Sequence, residues 1–83
     1  MSLVRKHSVT IRGHRTSFSL EQPFLDDLRA IAAARRQTLA ALVAEVDGTR
    51  PGEANLSSAL RIFVLDQAKR SAAARHAESE PVR

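Results

Sequence analysis

Apolar and polar positions alternate with period two in the first quarter of the chain and then recur every three to four residues as far as about residue 70. Thr16, Phe18 and Leu20 alternate with Arg15, Ser17 and Ser19, which predicts a strand with one apolar and one polar face. Val9 and Ile11 give a second strand signal, but at odd positions, so the parity changes at Gly13. A two-residue turn at Gly13-His14, type II′ with glycine first, accounts for the change by setting Ile11 opposite Thr16 and Val9 opposite Phe18. Thr10, Arg12, Arg15, Ser17 and Ser19 then share the other face. A bulge at Gly13 within one longer strand accounts for it equally well.

The helical periods follow at once. Pro23 suits the first turn of a helix, where its missing N–H has no partner to lose. Leu25, Leu28, Ile31 and Ala32 continue that helix to about Arg36, with Asp26 and Asp27 in its first turns and Arg35 and Arg36 in its last, matching the helix dipole. Thr38 reads as the N-cap of a second helix, with Leu39, Leu42, Val43 and Val46 on one side and Gly48 at its end. Residues 48–55 have loop composition. A third helix is expected from Asn55 or Ser57 to about residue 70. Ala59, Leu60, Ile62, Phe63, Val64 and Leu65 make it apolar around most of its circumference, which calls for cover on several sides and places it in a dimer core. The expected organisation is one domain over residues 1–70 and a frayed or disordered tail over 71–83.

Composition narrows the class. Eighty-three residues without cysteine have no disulfide or thiolate metal site to strengthen a small core, and oligomerisation is the usual substitute. The longest apolar run, Ile62 to Leu65, is too short to span a bilayer, and residues 1–6 lack the apolar stretch of a secretory signal. A soluble cytoplasmic protein with no membrane role is expected. Net charge is +4. Residues 1–15 hold Arg5, Lys6, Arg12 and Arg15 and no acid, so the strand-like segment is the basic pole.

Enzyme signatures are missing. The glycines stand alone at 13, 48 and 52, and His7, His14 and His76 lack metal-ligand spacing. Asp26 and Asp27, adjacent on a helix, point about 100° apart and suit the helix dipole better than acid–base work. No catalysis, metal or cofactor is expected. A coherent DNA-reading set is present instead. A β-ribbon fits the major groove, where arginine can donate to guanine and serine to several bases. Arg15, Ser17 and Ser19, two residues apart, share one strand face.

The run from Phe18 to Pro23, the amphipathic helix behind it and Thr38 opening another helix resemble the ribbon-helix-helix fold of Arc- and MetJ-type repressors. His7 to Ser17 and Asn55 to Arg61 are similar to stretches of small bacterial ribbon-helix-helix proteins. The resemblance spans roughly residues 5–67. It implies a mainly helical, intertwined homodimer with a short β-ribbon, here extended by an N-terminal strand-like segment and a C-terminal helix. It implies base contacts from Arg15, Ser17 and Ser19, and phosphate contacts from Thr38 and Leu39 through backbone N–H. Arg5, Lys6 and Arg12, in the basic N-terminal segment, are further candidates for phosphate contact. Phe18, Leu20, Leu42, Leu60, Phe63 and Val64 would form the dimer core. A competing alignment starts the phosphate-contacting helix at Leu56 and Ser57.

The function expected is a sequence-specific, double-stranded-DNA-binding transcriptional regulator, a repressor by resemblance. The alternative is a protein-interaction or antitoxin-like module on the same dimer, with residues 71–83 as the partner-binding tail.

Overall fold

The computed structural model describes residues 3–49 and 55–79. Two strands are followed by three helices: β1 Val4–Ile11, β2 His14–Glu21, α1 Gln22–Ala34, α2 Leu39–Thr49 and α3 Leu56–Ser79. β1 and β2 form one antiparallel hairpin with Ile11 opposite His14, Val9 opposite Thr16 and His7 opposite Phe18. The turn is therefore Arg12-Gly13. It is neither the Gly13-His14 turn nor the bulge expected from the parity change. Arg12 and Gly13 both have positive φ, 51° and 81°, as a type I′ turn requires. The pairing is displaced by two residues from the expected one. A shift of two leaves every side chain on its face, so Val9, Ile11, Thr16 and Phe18 still line the helix side. Arg12 alone leaves the outer face for the tip.

β2 passes into α1 without a loop: Glu21 is the last strand residue and Gln22 the first helical one. Pro23 stands at the helix start as expected, and Glu21 makes no side-chain cap. The first turn holds no acid and the last no base, so the dipole pairing assigned to Asp26, Asp27, Arg35 and Arg36 does not occur there. Helix α1 stops at Ala34 because Arg36 turns left-handed, φ 57°. The Arg36 N–H donates to Ala33 O at 3.0 Å and the Gln37 N–H to Ala32 O at 2.8 Å, the paired bonds of a Schellman ending. Thr38 does cap α2: its Oγ1 accepts the Ala41 N–H at 3.0 Å. The helix runs one residue past Gly48, to Thr49.

Helix α3 opens with Asn55, whose Oδ1 accepts the Ser58 N–H at 3.3 Å. It continues through Ser79, well beyond the residue-70 boundary expected from the apolar pattern. Residues 80–83 of the expected tail and 50–54 of the expected loop lie outside the described residues. One core joins the ribbon's inner face to all three helices: Ile11, Phe18 and Leu20, Leu25 and Leu28, Leu42 and Val43, Leu56, Leu60 and Val64. Of the residues assigned to a dimer core, Phe18, Leu20, Leu42, Leu60 and Val64 are thus buried within a single chain. Phe63 is half-buried beneath Arg35, whose guanidinium lies 5.3 Å from the ring centre. Ile62 and Leu65 face outward, 67% and 52% exposed.

Candidate nucleic-acid interface

Alternation along the hairpin collects one set of polar side chains on the face away from the helices. Thr10 lies opposite Arg15, Ser8 opposite Ser17 and Lys6 opposite Ser19. All are exposed except Ser19, which is half-buried. Ser8 Oγ and Ser17 Oγ are 3.4 Å apart, so each hydroxyl has a neighbour yet stays open to solvent. The face holds two cations, several hydroxyls and no acid until Glu21 at its far end.

Glu21 is engaged by Arg61 of α3, with Nε 3.0 Å from Oε1. Its own backbone N–H, and then the Arg61 hydrogen bond, hold its carboxyl below the usual glutamate value. The carboxylate charge at this end of the ribbon is thereby matched from within the fold. The Ser19 N–H donates to Ser57 Oγ at 2.8 Å, and Arg61 also donates to Ser19 O at 3.4 Å. The start of α3 therefore stands directly against the ribbon.

Arg15, Ser17 and Ser19 are together on one face as read from the sequence. Lys6 joins them, Arg12 sits at the hairpin tip, and Arg5, opposite Leu20, belongs to the helix-side face at the hairpin's open end. Thr38 and Leu39 begin α2, where Leu39 is partly buried against the core. The sequence places Thr10 on this face without assigning it a contact, and Ser8 is the residue it leaves unnamed. The signal for both is the same, because they occupy the positions that alternate with His7, Val9 and Ile11. Among the described residues no three His, Asp or Glu side chains are grouped to hold a metal ion, and no helix is long and apolar enough to cross a membrane.

A two-stranded antiparallel ribbon leading straight into a helix, with further helices packed under one of its faces, is consistent with a ribbon-helix-helix fold. The chain matches the family described as ribbon-helix-helix domain over residues 4–68 and belongs to it. That domain is in general a non-enzymatic, DNA-binding fold of the transcription-regulator type, and it generally acts as a dimer. Neither the curated proteins nor the solved structures gave a match.

Proposed function

We propose that this protein is a sequence-specific DNA-binding transcriptional regulator that works as a homodimer and inserts its β-ribbon into the major groove. The observation that carries this reading is the outer ribbon face. Lys6, Ser8, Thr10, Arg15 and Ser17 are exposed on it side by side, and the nearest acid is held by Arg61. Arg15 and Ser17 read base edges, with Ser8 and Thr10 beside them on the second strand. Ser19 contributes less, because it is half-buried at the contact with α3.

Phosphates are held around this face by Lys6, by Arg12 at the tip and by Arg5 at the open end. A helix start supplies further N–H groups. The start of α3, at Leu56 and Ser57, is the better placed, since Ser57 already touches the ribbon. Thr38 and Leu39 are the other candidate. Gel shifts on a selected duplex and a random one, over a series of salt concentrations, test the reading. Arg15→Ala should lower affinity for the selected duplex more than for the random one, by about 1–3 kcal/mol if Arg15 reads a guanine. If Arg15, Ser17 and Ser8 substitutions all leave both affinities unchanged, the ribbon is not the reader.

A further inference from the structure

Glu21 is the only acid in the hairpin, which carries Arg5, Lys6, Arg12 and Arg15. Its position in β2 puts it on the outer face. Lys6, Ser8 and Thr10 alternate onto that face from β1, and Arg15, Ser17, Ser19 and Glu21 from β2, with Glu21 opposite Val4. An unpaired carboxylate there would repel the phosphates of any duplex the face meets. It would also compete for a cation. Lys6, opposite Ser19, is its diagonal neighbour across the strands, a separation of about 7–8 Å that long side chains can close.

The carboxylate is drawn off that face. The Ser19 N–H points away from β1, because it donates to Ser57 Oγ at 2.8 Å, and backbone groups two residues apart on a strand point the same way. The Glu21 N–H therefore also points to the edge that β1 does not cover, and the carboxyl accepts from it. Arg61 meets the carboxyl at that edge: Nε and Nη2 are each 3.0 Å from Oε1. Nη2 also donates to Ser19 O at 3.4 Å. The Arg61 and Glu21 side chains are 31% and 30% exposed, so the pair escapes the desolvation cost of an enclosed one.

We propose that Arg61 is a positioning residue for DNA binding. It holds the Glu21 carboxylate at the strand edge and cancels its charge, so that the ribbon meets DNA with an acid-free face and with Lys6 left to the phosphates. This rests on the DNA-binding reading above and adds to it a residue of α3 that acts through Glu21. The hairpin cannot supply such a cation itself. Lys6 and Arg15 lie on the outer face, Arg12 at the tip and Arg5 on the helix side at the open end. Any of them paired with Glu21 would be withdrawn from DNA, whereas a guanidinium from a separate helix leaves all four in place.

Gel shifts at low and high salt, on a random-sequence duplex and on one selected in vitro by the unaltered protein, test this. The full-length variants are Arg61→Ala, Glu21→Gln, the two combined, and Arg61→Lys, each checked by thermal melting to be folded at the assay temperature. Arg61→Ala should weaken binding to both duplexes several-fold at low salt and less at high salt, because exposed charges are screened. Glu21→Gln alone should bind about as tightly as the unaltered protein. The double variant should return to that level, and Arg61→Lys, which keeps the cation, should lose little. Recovery in the double variant has to exceed the effect of Glu21→Gln alone, which is the mark of two residues acting as a pair. Removing Glu21 as well could not repair a missing phosphate contact or a broken brace.

A folded double variant as weak as Arg61→Ala overturns the proposal and makes Arg61 a direct phosphate contact or a brace. Equal gains from Glu21→Gln with and without Arg61 overturn it too, because the two residues then act independently. If Arg61→Ala does not fold, Arg61→Gln, which keeps a donor but no charge, takes its place with the same expectations. Binding that is unchanged on loss of Arg61 overturns the inference and leaves the DNA-binding reading intact. No binding of any duplex by the unaltered protein overturns both.

Discussion

Arg61 reaches Glu21 across forty residues of sequence, Nε to Oε1 at 3.0 Å, and so ties the end of β2 to the third helix. Glu21 titrates below its ordinary value of 4.5, through its own backbone N–H first and Arg61 second. Because the folded value is the depressed one, the contribution to stability is full above the unfolded value and fades as pH falls through the folded one. Thermal melts should therefore drop on acidification below about pH 4.5. In Glu21→Gln that part of the drop should disappear, and a Glu21→Gln curve parallel to that of the unaltered protein would show that the pair does not set it.

The hairpin tip carries an arginine where a type I′ turn favours asparagine. Arg12 at φ 51° is strained for a side chain that gains nothing locally from the left-handed region. Arg12→Asn should raise stability by several tenths to about 1 kcal/mol, read from denaturant midpoints. The same change removes a cation proposed to lie near phosphate, so the salt slope of DNA binding should fall by about one unit. A rise in stability with an unchanged slope would place Arg12 away from the backbone.

Arg36 has the same problem at the end of α1. Its φ of 57° belongs to the Schellman position that glycine fills most often. Arg36→Gly should stabilise the protein by roughly 1 kcal/mol, and a destabilised variant would mean that the Arg36 side chain makes a contact that outweighs the strain.

Thr38 and Ser57 can be separated by function. Thr38→Ala removes the cap on Ala41 and should cost about 1 kcal/mol of stability, with DNA affinity unchanged once folding is accounted for. Ser57→Ala keeps the N–H groups at the start of α3 but removes the Oγ that holds the Ser19 N–H; if that contact seats the helix start against phosphate, affinity should fall by a similar factor on selected and random duplexes. The reverse pattern would assign the backbone contact to the start of α2.

Leu60 is fully buried, and Leu60→Ala should cost about 2–5 kcal/mol. Ile62→Ala, on the exposed side of the same helix, should cost far less in dilute protein. It should cost more as concentration rises if a second copy covers it. Denaturant melts at two widely spaced concentrations read both effects.

Much of the architecture is legible in the residues, for identifiable reasons. The alternation around Phe18 has period two, and the faces it assigns survive the two-residue difference between the expected pairing and the one found. The turn is not legible because Arg12 carries no turn signature; its positive φ is required only once the flanking strands pair. The apolar period carries α1 on to Arg36 because a left-handed arginine leaves no mark in composition. The same period stops α3 near residue 70, where the large apolar positions cease. Ala72, Ala73 and Ala74 continue it by intrinsic propensity, and Arg70 supports it through Asp66 at 2.8 Å, one turn back. The contact of Ser57 with Ser19 joins residues far apart in the chain, and no local period could reveal it.

The direct join of Glu21 to Gln22 has a mechanical consequence. A ribbon on a flexible linker could tilt to suit whatever it meets. This one has no linker to act as a hinge: rotating β2 would swing α1, whose Leu25 and Leu28 are buried in the core shared with the other helices. Close-packed interiors resist such strain. The ribbon is a stiff probe, and adaptation at its contacts falls to side-chain rotamers and to the bending of whatever it presses against.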